Sequence, residues 1–553
     1  MYEIAIMNHL RCPEEIMSAP KLGAFHSSYL SFSRSLIRTM MNQSWLIKRA
    51  TFDLDDAGYG TAVYRIELEG LICHAVFFAQ YIEDEERNDR VIAEKWDVTC
   101  CIWLGEIDQQ TIEMLSKNVP KQEKGRYTPN VLCLSRANKS MRLFSYTIDC
   151  LGQGIQPDMD EIKKCSYFVR TTAVYGNGKF GMADFQRLQG TALSNQFRVQ
   201  MLMVYMVRWF SFEWVDHIAK KQGGQNAVRL AESMKRSIGV GNSTGLGMGP
   251  YLIKHPQIIH SWVSQREQAL YEVIHQSQPN KDTVKTAQHY LDRAQQYFGA
   301  IKIPDPTQTA KNKQLLLDLD KIKQMPLASV IQAQSWLPFW KVINTKAYCQ
   351  EVKELLLNIL LEVTPSIADK YADFQHVRVK PDGRSTATIS DLIDVIERDY
   401  HWAIRLDFTN EKAIYKYWYV AEDKEEPRLG DRFVEQPQPN QEMKIDIGRA
   451  VKQLYEALTN KQASNPDRRV SRFLFDHPKY SGIVKRVWQY AQNPYGEIRS
   501  NVLDMNFYPI DILRLKLSFF GAGKFDPKSD KWLRITLFQG APLLNSEGHL
   551  ARP

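Results

Sequence analysis

At 553 residues and 64.0 kDa, the chain is longer than one hydrophobic core can organise, so about two to four domains are expected. Apolar residues at 44%, charged residues at 24% and a mean hydropathy of -0.39 exclude the disordered, collagen-like and integral membrane classes. The net charge of +8 is small for this length, but it is uneven: residues 466–534 hold thirteen Lys and Arg against seven Asp and Glu.

The chain opens on MYEIAIMNHLRCPEE, with Glu3 where a secretory leader carries basic charge, and its apolar stretch is broken by His9 and Arg11, so no export signal is read. Seven of the eight cysteines (Cys12, Cys73, Cys100, Cys101, Cys133, Cys150, Cys165) lie in the first 165 residues, mostly inside apolar runs and without regular spacing. Such thiols behave as small hydrophobes, and a cytoplasmic, reducing location is expected.

In chain order, SSYLSFSRSLIRTMMN has helical spacing, and TAVYRIELEGLICHAVFFA reads as two strands turned at Gly70. Further strand-like runs follow at DVTCCIWLG, NVLCLS, MRLFSYTIDCL and CSYFVRTTAVY, giving a sheet-rich unit over residues 1–190. The most apolar window, residues 197–215, approaches membrane-spanning length but contains Arg198, Arg208 and Glu213; a helix buried in protein is expected, and no membrane association. It begins a helical region, residues 191–345, with AVRLAESMKRSI, a glycine-rich connection, PQIIHSWVSQREQALYEVI and TVKTAQHYLDRAQQYF; IPDPTQTA reads as a linker. Residues 346–553 read as mixed α/β: helices at EVKELLLNILLEV, SDLIDVIERDY, MKIDIGRAVKQLYEAL and SGIVKRVWQYA, strands at AIRLDF and AIYKYWYV, and a terminal hairpin of DILRLKLSFF and WLRITLF. The fold class expected is α+β.

One pattern occurs twice. Tyr175, Gly176, Asn177, Gly178, Lys179, Phe180 and Phe520, Gly521, Ala522, Gly523, Lys524, Phe525 share aromatic-G-x-G-K-F after a strand-like run. Glycines let backbone N–H groups turn toward an anion while lysine adds charge; the plainer alternative is a pair of hairpin turns. Through Gly181 the first copy completes G-x-G-x-x-G, yet no second parallel strand and no acidic strand end are read after it, so a dinucleotide fold is not expected. Gly58 and Gly60 precede a strand lacking the lysine of a kinase phosphate loop and read as a β-turn.

A third cluster, residues 239–250, puts five glycines into its first eleven residues between predicted helices, with Gly241, Asn242, Ser243 and Thr244 able to offer backbone and hydroxyl donors. Tight helix packing would explain the glycines equally well. His255, before Pro256, is the first choice for acid/base chemistry, since a helix start favours neutral imidazole. Glu213 and His217 stand at i and i+4, but two ligands do not make a metal site, and an ion pair on a helix face is the simpler reading.

The sequence therefore leads to a cytosolic enzyme acting on a small phosphate- or carboxylate-bearing metabolite, with Lys179 and Lys524 on the anion and Gly176, Gly178, Gly521, Gly523 and residues 241–244 completing the cradle. No cofactor or metal is identified. Two other readings stand beside it: nucleic-acid binding by the basic, aromatic C-terminal region, and a protein-interaction scaffold. Homo-oligomers stay open.

Overall fold

A computed structural model of the chain describes residues 8–83, 95–121, 128–176, 185–195, 197–244, 252, 256–372, 386–409, 417–421, 427–430, 442–445, 447–462, 467–499, 509–527 and 533–544. The fold is α+β. Two compact units are present, interleaved along the chain: one holds Ser27–Thr244 with Leu517–Asp526 and Leu533–Pro553, the other Met1–His26, Gly245–Lys516 and Pro527–Trp532.

The first unit is built on a sheet. Its strands are β1 (Leu46–Leu54), β2 (Gly60–Leu68), β3 (Leu71–Ala79), β4 (Val98–Leu104), β5 (Val131–Lys139), β6 (Tyr167–Gly176) and β7 (Gly239–Thr244). A small separate sheet in the other unit takes β8 (Tyr417–Ala421), β9 (Pro427–Gly430) and β10 (Glu442–Ile445); β11 (Ala522–Pro527) and β12 (Leu533–Leu537) return to the large one. The nine-stranded order is β1-β2-β3-β4-β5-β6-β7-β12-β11. Neighbours from β1 to β6 are antiparallel, β7 runs parallel to β6, and β12 is antiparallel to β7.

The helix Arg198–Gly223 lies across this sheet, buried on nearly every side over its first four turns. Phe210 stacks on Phe77 at 4.5 Å, Phe212 meets Phe168 edge-on, and Trp214 donates its indole N–H to Gly58 O at 2.7 Å. The charges that break its apolar run are taken up internally. Arg208 donates to the carbonyls of Ile238 (2.7 Å) and Lys235 (3.0 Å), and Arg198 to Ser35 O (3.2 Å), so each buried guanidinium has acceptors. Burial pushes the Arg208 pKa down to about 10. No helix among the described residues is long and apolar enough to cross a membrane.

The second unit is helical at its centre. Pro256–Gln276, Lys281–Ala300, Pro306–Lys323 and Gln350–Glu362 begin at legible signals: Asn280 accepts from Thr283 N (2.9 Å), and Asp305 from Gln308 N (2.8 Å) with Pro306 at the first helical position. A further core joins Ile389–Asp399, Ile447–Gln462 and Ser481–Gln492 through Leu392, Ile396, Leu454, Leu458, Phe473 and Val487. Thr388 and Asp391 close a reciprocal cap on the first of these.

Several local expectations are corrected. MRLFSYTIDCL is not a strand: Phe144–Gly152 is a helix burying Phe144, Ile148 and Leu151, the i, i+4, i+7 face of a helix. DILRLKLSFF is the helix Pro509–Phe520, buried all round, where alternation is not diagnostic; the terminal hairpin is β11 and β12 instead. AIRLDF starts as the helical turn His401–Ile404, and IPDPTQTA runs into the helix starting at Pro306. Of AVRLAESMKRSI only Glu232–Arg236 is helical. The glycine-rich connection begins as β7, a central strand, and that strand is the parallel neighbour of β6 that the sequence did not reveal.

Candidate functional site

The described parts of the three glycine-bearing motifs are residues 175–176 at the end of β6, Gly239–Thr244 as β7, and residues 520–525 from the end of a helix into β11; these strands all belong to the large sheet. Because β6 and β7 are parallel, with Tyr167 opposite Gly239 and Arg170 opposite Gly241, Gly176 and Thr244 both lie toward the C-terminal end of that pair. Lys524 is at the other end: its Nζ donates to Lys163 O at 2.7 Å, just before β6 begins. Gly523 is there too, its missing Cβ only 2.9 Å from Gln539, just beyond the end of β12. At about 3.3 Å per residue, β6 separates these ends by about 30 Å. Gly176 and the close of β7 are therefore brought to one end, and Lys524 is not. Gly178, Lys179 and His255 lie outside the described residues.

The described glycines have packing reasons of their own. A Cβ on Gly241 would stand 2.5 Å from the Tyr167 ring. Gly521 has φ +77, and a Cβ there would meet Ser33 Oγ at 2.4 Å. Ser31 Oγ donates to Ser518 O at 2.6 Å and Ser33 Oγ to Gly521 O at 3.1 Å, which holds this approach of the helix end to Phe32–Asn42.

Over β7 the structure assembles donors that the sequence did not single out. Arg170 Nη1 lies 3.5 Å from Ser243 Oγ, and Arg534 is the cross-strand partner of Ser243. The bulge in β6 between Tyr167 and Arg170 turns both residues toward the β7 face carrying Gly241 and Ser243. Burial raises the Tyr167 phenol above its ordinary value of 10, while Arg170 and Arg534 both pull it down, which places two guanidiniums within electrostatic reach of one hydroxyl. Neither arginine forms an ion pair with any described residue. Arg534 is exposed, and Arg170 and Ser243 are half-buried. Two guanidiniums, a serine hydroxyl and a phenol on one face supply hydrogen-bond donors with no carboxylate paired to either guanidinium among the described residues, the chemistry that takes a carboxylate or phosphate.

Arg170 was legible as a charge inside the apolar run YFVRTTAV, and Arg534 as the polar alternate of WLRITLF. Their meeting across β7 depends on strand order, which leaves no local trace.

Elsewhere, Glu213 accepts from Tyr64 Oη (2.9 Å) and Trp209 Nε1 (3.2 Å), and His217 Nε2 bonds to Asp55 O (2.9 Å); both tie the long helix to the β1–β2 hairpin. No group of three or more His, Cys, Asp or Glu among the described residues could hold a metal ion. In the basic C-terminal stretch, Arg486 closes on Glu497 (2.8 and 2.7 Å), Arg468 pairs with Asp476, and Tyr490 is buried with Trp488 packed on the same core. No family model, no curated protein and no solved structure matches this chain.

Proposed function

We propose that the chain is a cytoplasmic enzyme that binds a small phosphate- or carboxylate-bearing metabolite on the β6–β7–β12 face of its sheet. The observation that carries this reading is the placement of Arg170 and Arg534 on either side of Ser243, with no ion-pair partner among the described residues. In this reading the ligand supplies the missing negative charge, Arg170 and Arg534 grip its oxygens, and Ser243 and Tyr167 donate hydroxyl hydrogens. Lys179 lies outside the described residues, and Lys524 stays with Lys163. Eight cysteines without a disulfide fit a reducing compartment.

Thermal-shift and calorimetric titration with inorganic phosphate, mononucleotides, coenzyme A and dicarboxylates tests it. A bound ligand at 100 times its Kd stabilises the chain by about 2.7 kcal/mol. Arg170→Ala and Arg534→Ala should each weaken that ligand about tenfold or more, as expected for a charged hydrogen bond, while Lys524→Ala leaves it unchanged. A panel without any shift, or arginine variants that bind like the parent, overturns the reading.

A further inference from the structure

In the helical unit, His260, Ser264 and Gln268 stand four residues apart on the helix Pro256–Gln276 and so form a row on one face. The N-terminal segment is pinned beside this row. Leu10 N donates to Glu267 O at 3.0 Å, and the Arg11 guanidinium clasps the Glu267 carboxylate through Nε (3.0 Å) and Nη2 (2.7 Å). Arg266 bridges Glu267 (3.0 Å) and Glu354 (2.9 Å), and all these side chains are buried. So anchored, His9 brings its Nε2 to 2.9 Å from Ser264 Oγ.

The hydrogen-bond pattern sets the proton positions. Gln268 Nε2, a donor only, approaches Ser264 Oγ at 3.1 Å and His9 Nε2 at 3.3 Å. With His9 Nε2 assigned as the acceptor, its ring proton is on Nδ1, and the Ser264 hydroxyl at 2.9 Å is in reach to donate to Nε2. His260 has the opposite tautomer, because its Nδ1 accepts the Tyr495 backbone N–H at 3.2 Å and leaves Nε2–H as donor. Both imidazoles pack on the Tyr495 ring, with centroids at 4.9 and 6.1 Å. Tyr495 is fixed by donating its hydroxyl to Arg11 O at 2.6 Å, and Gly496 allows that turn against the helix start, where a Cβ would lie 2.8 Å from Pro256 O. His9, His260 and Gln268 are half-buried, and Ser264 is 8% exposed.

We propose that Ser264 and His9 are the nucleophile and general base of an acyl-transfer site for carboxylic esters, with His260 Nε2–H donating to the carbonyl oxygen as charge develops there. In the first step Ser264 Oγ bonds to the carbonyl carbon, its proton passes to His9 Nε2, and the carbonyl π electrons move to oxygen beside His260. Collapse expels the alcohol, which takes the proton from His9 and leaves an acyl ester on Ser264. Water then bonds to the acyl carbon as His9 takes its proton, the bond from that carbon to Ser264 Oγ breaks, Oγ recovers the proton from His9, and the free acid departs. This site is independent of the anion site on the sheet, and so are its tests.

Treated with a fluorophosphonate probe, the full chain should gain one Oγ–P bond as the P–F bond of the probe breaks, fluoride leaves and the hydroxyl proton passes to His9, and peptide mass spectrometry should map the adduct to Ser264. Ser264→Ala should take no label, and Ser264→Cys, which keeps a nucleophile at that position, should gain iodoacetamide alkylation that peptide mass spectrometry maps to position 264, apart from that at the native cysteines. His9→Ala should slow labelling and 4-nitrophenyl acetate hydrolysis about 100-fold or more, with partial recovery on adding imidazole, a rescue that a purely structural role would not show. His260→Gln should lower ester hydrolysis about 100-fold. A folded parent chain that takes no label at Ser264, or a His9→Ala chain that labels as fast as the parent, overturns the proposal.

Discussion

In the helical unit Arg11 and Arg266 share Glu267 and Glu354, Arg486 closes on Glu497, and Arg499 reaches Glu14; in the sheet unit Arg170 and Arg534 face each other across β7 with Ser243 between them and no ion-pair partner among the described residues. Both arrangements use arginine beside β- or α-framework residues, but their electrostatics differ. A buried guanidinium must have its donors matched on the spot, by carboxylates in this cluster and by backbone carbonyls at Arg198 and Arg208 of the sheet unit, because an unmatched buried charge is strongly destabilising. A half-exposed one is hydrated and can stay unmatched until an anion arrives. Charge that is compensated within the unit holds helices and the N-terminal segment together, whereas uncompensated charge on the sheet face is available to a ligand.

The largest expected effect is on the compensated side. Glu354 accepts from Arg11, from Arg266 Nη2 at 2.9 Å and from Gln350 Nε2 at 2.9 Å; burial alone would raise its pKa, but the two arginines outweigh burial and hold it below 4.5. Glu354→Ala leaves two buried cations sharing one carboxylate and should cost about 3 to 5 kcal/mol, measured by urea unfolding. A loss under about 1 kcal/mol would show that the cluster is hydrated and would blur the contrast between the units.

Acid acts on the same unit. Burial, reinforced by Arg514, pushes His26 down to about 4, and burial with His9 nearby does the same to His260. As pH falls below 6.5 the unfolded chain takes up these protons first. Their stabilisation is therefore complete above pH 6.5 and is lost between 6.5 and about 4, up to about 3 kcal/mol for each histidine. Urea midpoints at pH 7.5 and 5 measure it, with His26→Gln flattening the slope; equal midpoints in the parent chain would contradict the burial of these rings.

The smallest effect is expected on the sheet. Arg534→Ala removes an exposed side chain without an ion-pair partner among the described residues, so unliganded stability should change by no more than about 0.5 kcal/mol even where ligand affinity falls. A larger loss in urea unfolding would assign Arg534 to the framework and erase the difference between the two regions.

Much of this architecture can be read from short windows of residues. The Asn280 cap, Pro256 at a helix start, the two apolar runs of β2 and β3 turned at Gly70 and the internally buried window at residues 197–215 each express a preference contained within one or two turns of helix or one strand. Segments that are buried on all sides, charged residues included, such as Pro509–Phe520 with Asp511 and Arg514, carry no amphipathic period to read. The partners of β7 could not be read at all: GVGNST has weak strand preference, and it becomes a strand because β6 and β12 offer it backbone hydrogen bonds from both edges. The same holds for the functional groups. His260, Ser264 and Gln268 share a helical face by spacing alone, but His9 reaches Ser264, and Arg534 reaches Ser243, only through contacts between distant segments, whose register is decided by packing and pairing across the whole unit rather than by any residue's own propensity.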